Sequence, residues 1–209
     1  MRCPRLAAFL ADIRTRHPTY WSRPVPAFGA PAPRILLVGL APGLHGANRT
    51  GRPFTGDFAG ILLYETLHEL GLASQPQSLA RNDGLALAHT RITNAVKCLP
   101  PANKPLPPEI RCCNSYLRNE LEVLRSVRVI VALGRVAHDA VVLACGLPRS
   151  AFVFAHGREH ALDRKRRLLD SYHCSRYNTQ TRRLTATMFK AVIAQACALA
   201  ELGQNGSHI

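Results

Sequence analysis

The sequence predicts an α/β fold with a mainly parallel sheet covered by helices on both faces. Two observations predict it. Continuous apolar runs end in glycine at residues 34–40 (RILLVGL, with Gly39 inside) and at 127–133 (VRVIVAL, followed by Gly134). Strands buried on both faces read this way. Stretches with helical spacing alternate with these runs, the order that builds a parallel sheet from crossover helices.

The elements follow in chain order. A short N-terminal helix comes first, and Pro24, Pro26, Pro31 and Pro33 then stiffen an extended lead-in. The strand at 34–40 opens into a glycine-dense loop, 41–56. Residues 58–70 read as a helix ending near Gly71, and 90–97 (TRITNAVK) as a second strand. A proline-rich loop spans 98–108, where Pro107 and Pro108 suit a helix start. Ile110, Cys113, Leu117, Leu121 and Leu124 then recur at helical spacing. After the strand at 127–133 comes a helix through Cys145. Residues 151–155 read as a short apolar strand, 167–171 as another, and 184–202 as the closing helix. In such sheets ligands bind at the carboxyl ends of the strands. The loop from Ala41, the strand end at Asn94 and the loop from Tyr172 therefore stand where they could converge.

Composition bounds the function. The chain has 209 residues, enough for a core without disulfide staples. No apolar run approaches the roughly 18 residues of a membrane span, and the N-terminus lacks a signal-peptide core. A soluble, intracellular, cytoplasmic protein is expected. Seven cysteines, an odd number, argue against a disulfide framework and leave metal ligands or buried thiols. Lys and Arg number 27 against 13 Asp and Glu, a net charge of +14. A field of that size favours polyanions, nucleic acid first, although a plain solubility bias would look the same.

Four segments carry candidate chemistry. The loop GLAPGLHGANRTGRPFTGD runs from Gly39 to Asp57 and lets backbone approach a ligand closely, but it is neither a Walker loop nor a clean dinucleotide fingerprint. Asp57 can be the N-cap of the following helix or a carboxylate that positions a water. Asn94 offers one acceptor and two donors. At a strand end it could read the O4 and N3–H edge of a uracil, or merely satisfy turn backbone. His173 opens a polar loop within the most basic stretch, where residues 156–183 hold eight Arg or Lys against three Asp or Glu. Tyr177 lies inside that loop, and such a mixture occurs where a base is stacked or a duplex wedged, or on an ordinary solvated surface. Cys3, Cys98 and Cys113 are widely spaced thiols that could hold zinc or an iron–sulfur cluster. Cys113 also falls on an apolar helical stripe, where a core thiol is the plain alternative.

Taken together, GLAPGLHGANRTGRPFTGDFAG, TNAVKCLPPANKPLPPEIRCC and SYHCSRYNTQTRRLT closely resemble the three signature regions of the family 5 (type B) uracil-DNA glycosylases, relatives of the iron–sulfur-containing family 4. The resemblance runs from about Cys3 to the last helix. It implies a three-layer α/β/α sandwich and one domain over 1–209: helix and lead-in to about 33, α/β core over 34–202, tail over 203–209. It implies hydrolysis of the N-glycosidic bond of uracil, and of other deaminated or damaged bases such as hypoxanthine, in DNA, by a monomer. Asp57 takes the place of the water-positioning carboxylate and His173 that of the group stabilising charge on the base O2. Ala41 stands where better-known relatives carry a catalytic Asp. Phe54 matches the stacking aromatic and Asn94 the edge reader, with Gly39, Pro42 and Gly43 in the base-binding loop. Arg176, Tyr177, Asn178 and Arg182 fall on the DNA side, Tyr177 at a relative's wedge. Cys3, Cys98 and Cys113 match three ligands of a 4Fe-4S cluster. The pattern's first cysteine would stand before Cys3, so the fourth ligand comes from a longer native chain or from another group. Cys112 and Cys113 diverge by about 100° on a helix, so only one of them is expected to ligate. The rival class is a non-catalytic damage-binding module on the same fold.

Overall fold

The computed structural model describes residues 3–202. The tail expected at 203–209 lies outside the described residues. Six strands form one sheet in the order β1-β3-β2-β4-β6-β5. These are β1 (Phe28–Gly29), β2 (Ile35–Gly39), β3 (Thr90–Asn94), β4 (Val129–Leu133), β5 (Glu159–Ala161) and β6 (Arg167–Ser171). The four central strands are parallel, in register from Ile35 opposite Thr90 and Val129 to Leu133 opposite Ser171. The short edges β1 and β5 pair antiparallel.

The helices are α1 (Pro4–Arg16), α2 (Ala47–Thr50), α3 (Phe58–Glu69), α4 (Pro107–Val123), α5 (Arg135–Ala144), α6 (Arg176–Gln180) and α7 (Ala186–Leu199). Strand side chains alternate between two layers, as the two-residue period requires. Ile35, Leu37, Val129, Val131 and Leu133 pack against Leu63 and Leu67 of α3 and Phe189 and Ile193 of α7. Leu36, Val38, Ile130 and Ala132 pack against Leu117 and Leu121 of α4 and Val141 of α5. The expected cover on both faces is thus present. A third cluster joins Leu6, Leu10 and Ile13 of α1 to Val96, Cys98, Leu99 and Cys113. The Arg5 guanidinium grips Glu109 with two 2.7 Å hydrogen bonds and so ties α1 to the first turn of α4.

Several boundaries differ from expectation. The strand expected at 151–155 is absent. A 3-10 turn over Arg149–Ala151 leads into irregular chain, because Phe152 and Phe154 turn their rings onto His160, His138 and Tyr172 rather than pairing backbone. The edge strand is β5, further on. Strand β3 ends at Asn94, although Ala95 N–H and Val96 N–H still reach the carbonyls of Gly39 and Leu40. The last helix begins at Ala186, capped by the Thr185 hydroxyl, which accepts from Met188 N–H at 3.2 Å. No helix among the described residues is long and apolar enough to cross a membrane.

Candidate active site

Because the central strands are parallel, Gly39, Asn94, Leu133 and Ser171 all end on one edge of the sheet. A cleft of about 580 Å³ opens there, lined by Ala41, Gly43, His45, Phe54, Asp57, Phe58, Asn94, Asn103, His173 and Arg176 among others. Residues from three distant stretches of sequence meet in it.

Asp57 occupies the N-cap of α3, and its Oδ1 accepts from Gly60 N–H at 3.0 Å. Its other oxygen, Oδ2, lies along the glycine loop, 3.6 Å from where a Gly43 Cβ would stand. A Cβ on Gly46 would collide with the same side chain, 2.6 Å from its Cβ and 2.7 Å from its Cγ. One carboxylate oxygen of Asp57 therefore caps α3, and the other lies along the glycine loop. Burial raises the carboxyl above the ordinary aspartate range, against the pull of the Gly60 and Ala59 N–H groups.

Asn94 is buried, and its Oδ1 has no hydrogen-bond partner among the described residues. Leaving such an acceptor dry costs on the order of 1–3 kcal/mol, which a ligand donor would recover. Gly39 makes room for it: a Cβ there would collide with Asn94 Oδ1 and stand 2.7–2.8 Å from the Phe54 ring. Phe54 is held at φ +53°, an uncommon left-handed conformation for an aromatic residue. The first turn of α3 closes on its carbonyl so tightly that only glycine fits at Gly60. The Phe54 ring centre lies 5.8 Å from that of His173.

His173 is half-buried, and burial pushes its imidazole down to about 4, so the ring is neutral near pH 7. Its loop is fixed from within. Asn178 Nδ2 donates to the His173 carbonyl at 2.8 Å, and Ser175 caps α6 by accepting from Asn178 N–H at 3.4 Å. Asn178 thus uses its side-chain nitrogen on the loop itself. Arg176 lines the cleft with its guanidinium 4.9 Å from the Phe58 ring centre. Tyr177 is 70% exposed, and Arg182 is exposed on the same segment. Ala41 lines the cleft, whereas Pro42 is buried within the loop.

Some groups were not singled out from sequence. His45 lines the cleft and meets the Tyr20 hydroxyl at Nδ1, 2.9 Å away. It stands within the glycine loop, so its neighbours in sequence were the available signal. Behind β6, the fully buried Asp170 carboxylate takes His138 Nδ1 at 2.7 Å and His160 Nε2 at 3.1 Å. His138 Nε2 also faces the Phe152 carbonyl at 2.9 Å. Burial alone would lower the His138 pKa, but Asp170 outweighs it and holds it above the usual value. This cluster braces the strand that delivers His173.

A second cavity, also about 580 Å³, collects Cys3, Cys98, Cys112 and Cys113 together with Lys97. All four thiols are free. Cys112 and Cys113, adjacent on α4, both line this cavity. Burial, with the other thiols adding, pushes Cys3 up to about 12, and burial first, then Cys113, pushes Cys98 up to about 11. Four thiols at one cavity are a donor set that fits a thiolate-held metal group. Lys97 is buried beside them and paired to Glu120 at 2.8 Å.

These features define an α/β protein with a polar, aromatic-floored cleft at the carboxyl edge of a doubly covered sheet. The chain belongs to the uracil DNA glycosylase superfamily, whose family model matches residues 26–197. It is 52% identical over 205 residues to the type-5 uracil-DNA glycosylase of Thermus thermophilus, covering 96% of this chain and 93% of that protein. It is 43% identical over 201 residues to the type-5 uracil-DNA glycosylase of Pyrobaculum aerophilum, covering 94% and 87%. The type-4 uracil-DNA glycosylase of Sulfurisphaera tokodaii is more distant, 30% identical over 174 residues.

Proposed function

We propose that this chain is a monofunctional DNA N-glycosylase that removes uracil from DNA and leaves an abasic site. The observation that carries this reading is the meeting of Asp57, Asn94, Phe54 and His173 in one cleft, in a chain so similar to type-5 uracil-DNA glycosylases over nearly its whole length.

The geometry supplies a mechanism. The net charge of +14 favours phosphate contacts and salt-dependent, sequence-blind binding. The target nucleotide leaves the stack at a cost of a few kcal/mol, smallest at mismatches. Phe54 stacks on the extruded base. The unpaired Asn94 Oδ1 accepts from uracil N3–H while the amide nitrogen donates to O4. Cytosine presents an acceptor at N3 and a donor at N4, which leaves both partners unmatched. Cleavage of the C1′–N1 bond leaves the electron pair on the base and a cationic sugar. A neutral His173 ring donates a hydrogen bond to the anion at O2, and a preorganised donor of this kind is worth roughly 3 kcal/mol. Asp57 steadies the cationic sugar, orients water toward C1′ and takes the water proton. No lysine is among the described residues that line the cleft, which supports hydrolysis without a lyase step.

Cys3, Cys98 and Cys113 would hold a 4Fe-4S cluster, with Cys112 the fourth thiol at the same cavity. Such a cluster supplies a covalent cross-link between the start of α1, the loop at Cys98 and α4. A non-catalytic damage-binding role is not favoured, since it would need neither Asp57 nor His173 in the cleft.

The test is a labelled duplex with one U·G mismatch, incubated with protein and then treated with alkali. Strand cleavage only after alkali is expected. Cleavage without alkali would refute the monofunctional reading, and intact strands after alkali would refute the glycosylase reading.

A further inference from the structure

A third cavity, of about 750 Å³, adjoins the cleft and shares His45, Asp57, Phe58 and Arg176 with it. Its outer wall is the segment between α3 and β3, where Leu79 is 63% exposed. An isolated exposed leucine usually means nothing. This one is presented rigidly. Leu79 N–H and Ala80 N–H donate to Asp83 Oδ2 at 2.9 and 3.2 Å. Asp83 is clamped by both terminal guanidinium nitrogens of the buried Arg52, at 2.9 and 2.6 Å. Arg52 also donates to Ser78 Oγ at 2.6 Å and to Thr55 Oγ1 at 2.9 Å. Gly56 N–H donates to the Ser78 carbonyl at 2.9 Å, so the leucine is braced directly on the residue before Asp57.

The surroundings are charged, with Asp57 and Glu65 among the lining residues as well as arginines. Arg49 and Arg176 line the same cavity, and Arg81, two residues beyond Leu79, stacks on Trp21 at 4.4 Å. An apolar side chain held on a braced backbone with arginines nearby, beside a cleft that in the glycosylase reading receives an extruded base, has the makeup of a duplex wedge.

We propose that Leu79 is a second wedge, which enters the base stack beside the extruded nucleotide while Tyr177 acts from the His173 loop. The proposal rests on the DNA-glycosylase reading and deepens it. An apolar probe on each of two loops would hold the gap open and slow return of the base. Single-stranded DNA has no partner strand to hold apart, so the wedge serves duplex substrates only.

The test compares Leu79→Ala and Leu79→Met with the wild type. Single-turnover excision is measured on a U·G duplex and on the same strand alone, and melting temperature checks the fold. Leu79→Ala is expected to lower the duplex-to-single-strand rate ratio at least about fivefold, and Leu79→Met to restore most of it. An unchanged ratio in a folded Leu79→Ala protein overturns the proposal, whether both rates hold or both fall. A 2-aminopurine beside the uracil reports unstacking on binding and requires no chemistry. Failure of the glycosylase reading would appear as no excision by the wild type. Failure of the wedge would appear as the same 2-aminopurine signal in wild type and Leu79→Ala.

Discussion

Replacing Gly46 by alanine tests the position of Asp57 without touching Asp57. A Cβ on Gly46 would stand 2.6 Å from the Asp57 Cβ and 2.7 Å from its Cγ, with Oδ2 closer still. Ordinary contact begins near 3.4 Å, so the side chain must retreat by roughly 1 Å. Rotation about χ1 cannot relieve a clash at Cβ, so the start of α3 has to shift as well. Overpacking of this kind costs about 1–3 kcal/mol. Partial loss of the Asp57 cap adds up to about 1 kcal/mol. A displacement near 1 Å at a group that must orient water costs on the order of 100-fold in rate. Single-turnover excision and thermal melts of the variant decide the matter. The expected result is a folded Gly46→Ala protein slowed about 100-fold. A folded Gly46→Ala protein with near-normal excision would refute the claim that the Asp57 carboxylate must sit where it does.

Three further outcomes follow from the structure. The fold holds His173 neutral down to about 4, whereas the unfolded chain takes up that proton near 6.5. Stability is therefore lost as pH falls from about 6.5 to 4, by at most about 3 kcal/mol, and His173→Gln should flatten that part of the pH–stability curve. An unchanged slope would show that His173 is not desolvated in the fold. Asp83→Asn leaves the buried Arg52 charge without its partner and should cost about 3–5 kcal/mol, a fall of at least several degrees in melting temperature; a shift under 1 °C would contradict it. The purified protein should be brown and contain iron, and Cys113→Ser should reduce both colour and iron content. Colourless, iron-free wild-type protein that excises uracil would remove the cluster from the account.

The interior of the fold was legible because burial leaves a strong pattern. Strands β2 and β4 are covered on both faces and read as unbroken apolar runs, and β6 lies at the predicted Arg167–Ser171. The edges were not legible. Strand β1 is two residues long and β5 three, mostly solvent-facing, so neither carries a period. The stretch 151–155 misled because its phenylalanines are apolar for side-chain stacking, not for sheet burial. In the cleft, the glycine loop, Asn94 at its strand end and the polar loop after β6 could be read, since each departs visibly from the run before it. The supporting pairs could not. Arg52 and Asp83 are 31 residues apart, and His138 and Asp170 are 32 apart. Only the folded chain makes such pairs neighbours, and nothing local marks either partner as buried.

The central claim is that Asp57 acts on the reacting atoms and is more than a helix cap. Asp57→Asn keeps a good N-cap while removing the carboxylate. The decisive measurement is excision by this variant on a U·G duplex at enzyme concentrations that saturate binding, with binding measured in parallel. The account predicts a folded variant that binds the duplex as the wild type does and excises uracil at least 100-fold more slowly. Excision at the wild-type rate would contradict it and return Asp57 to a purely structural role.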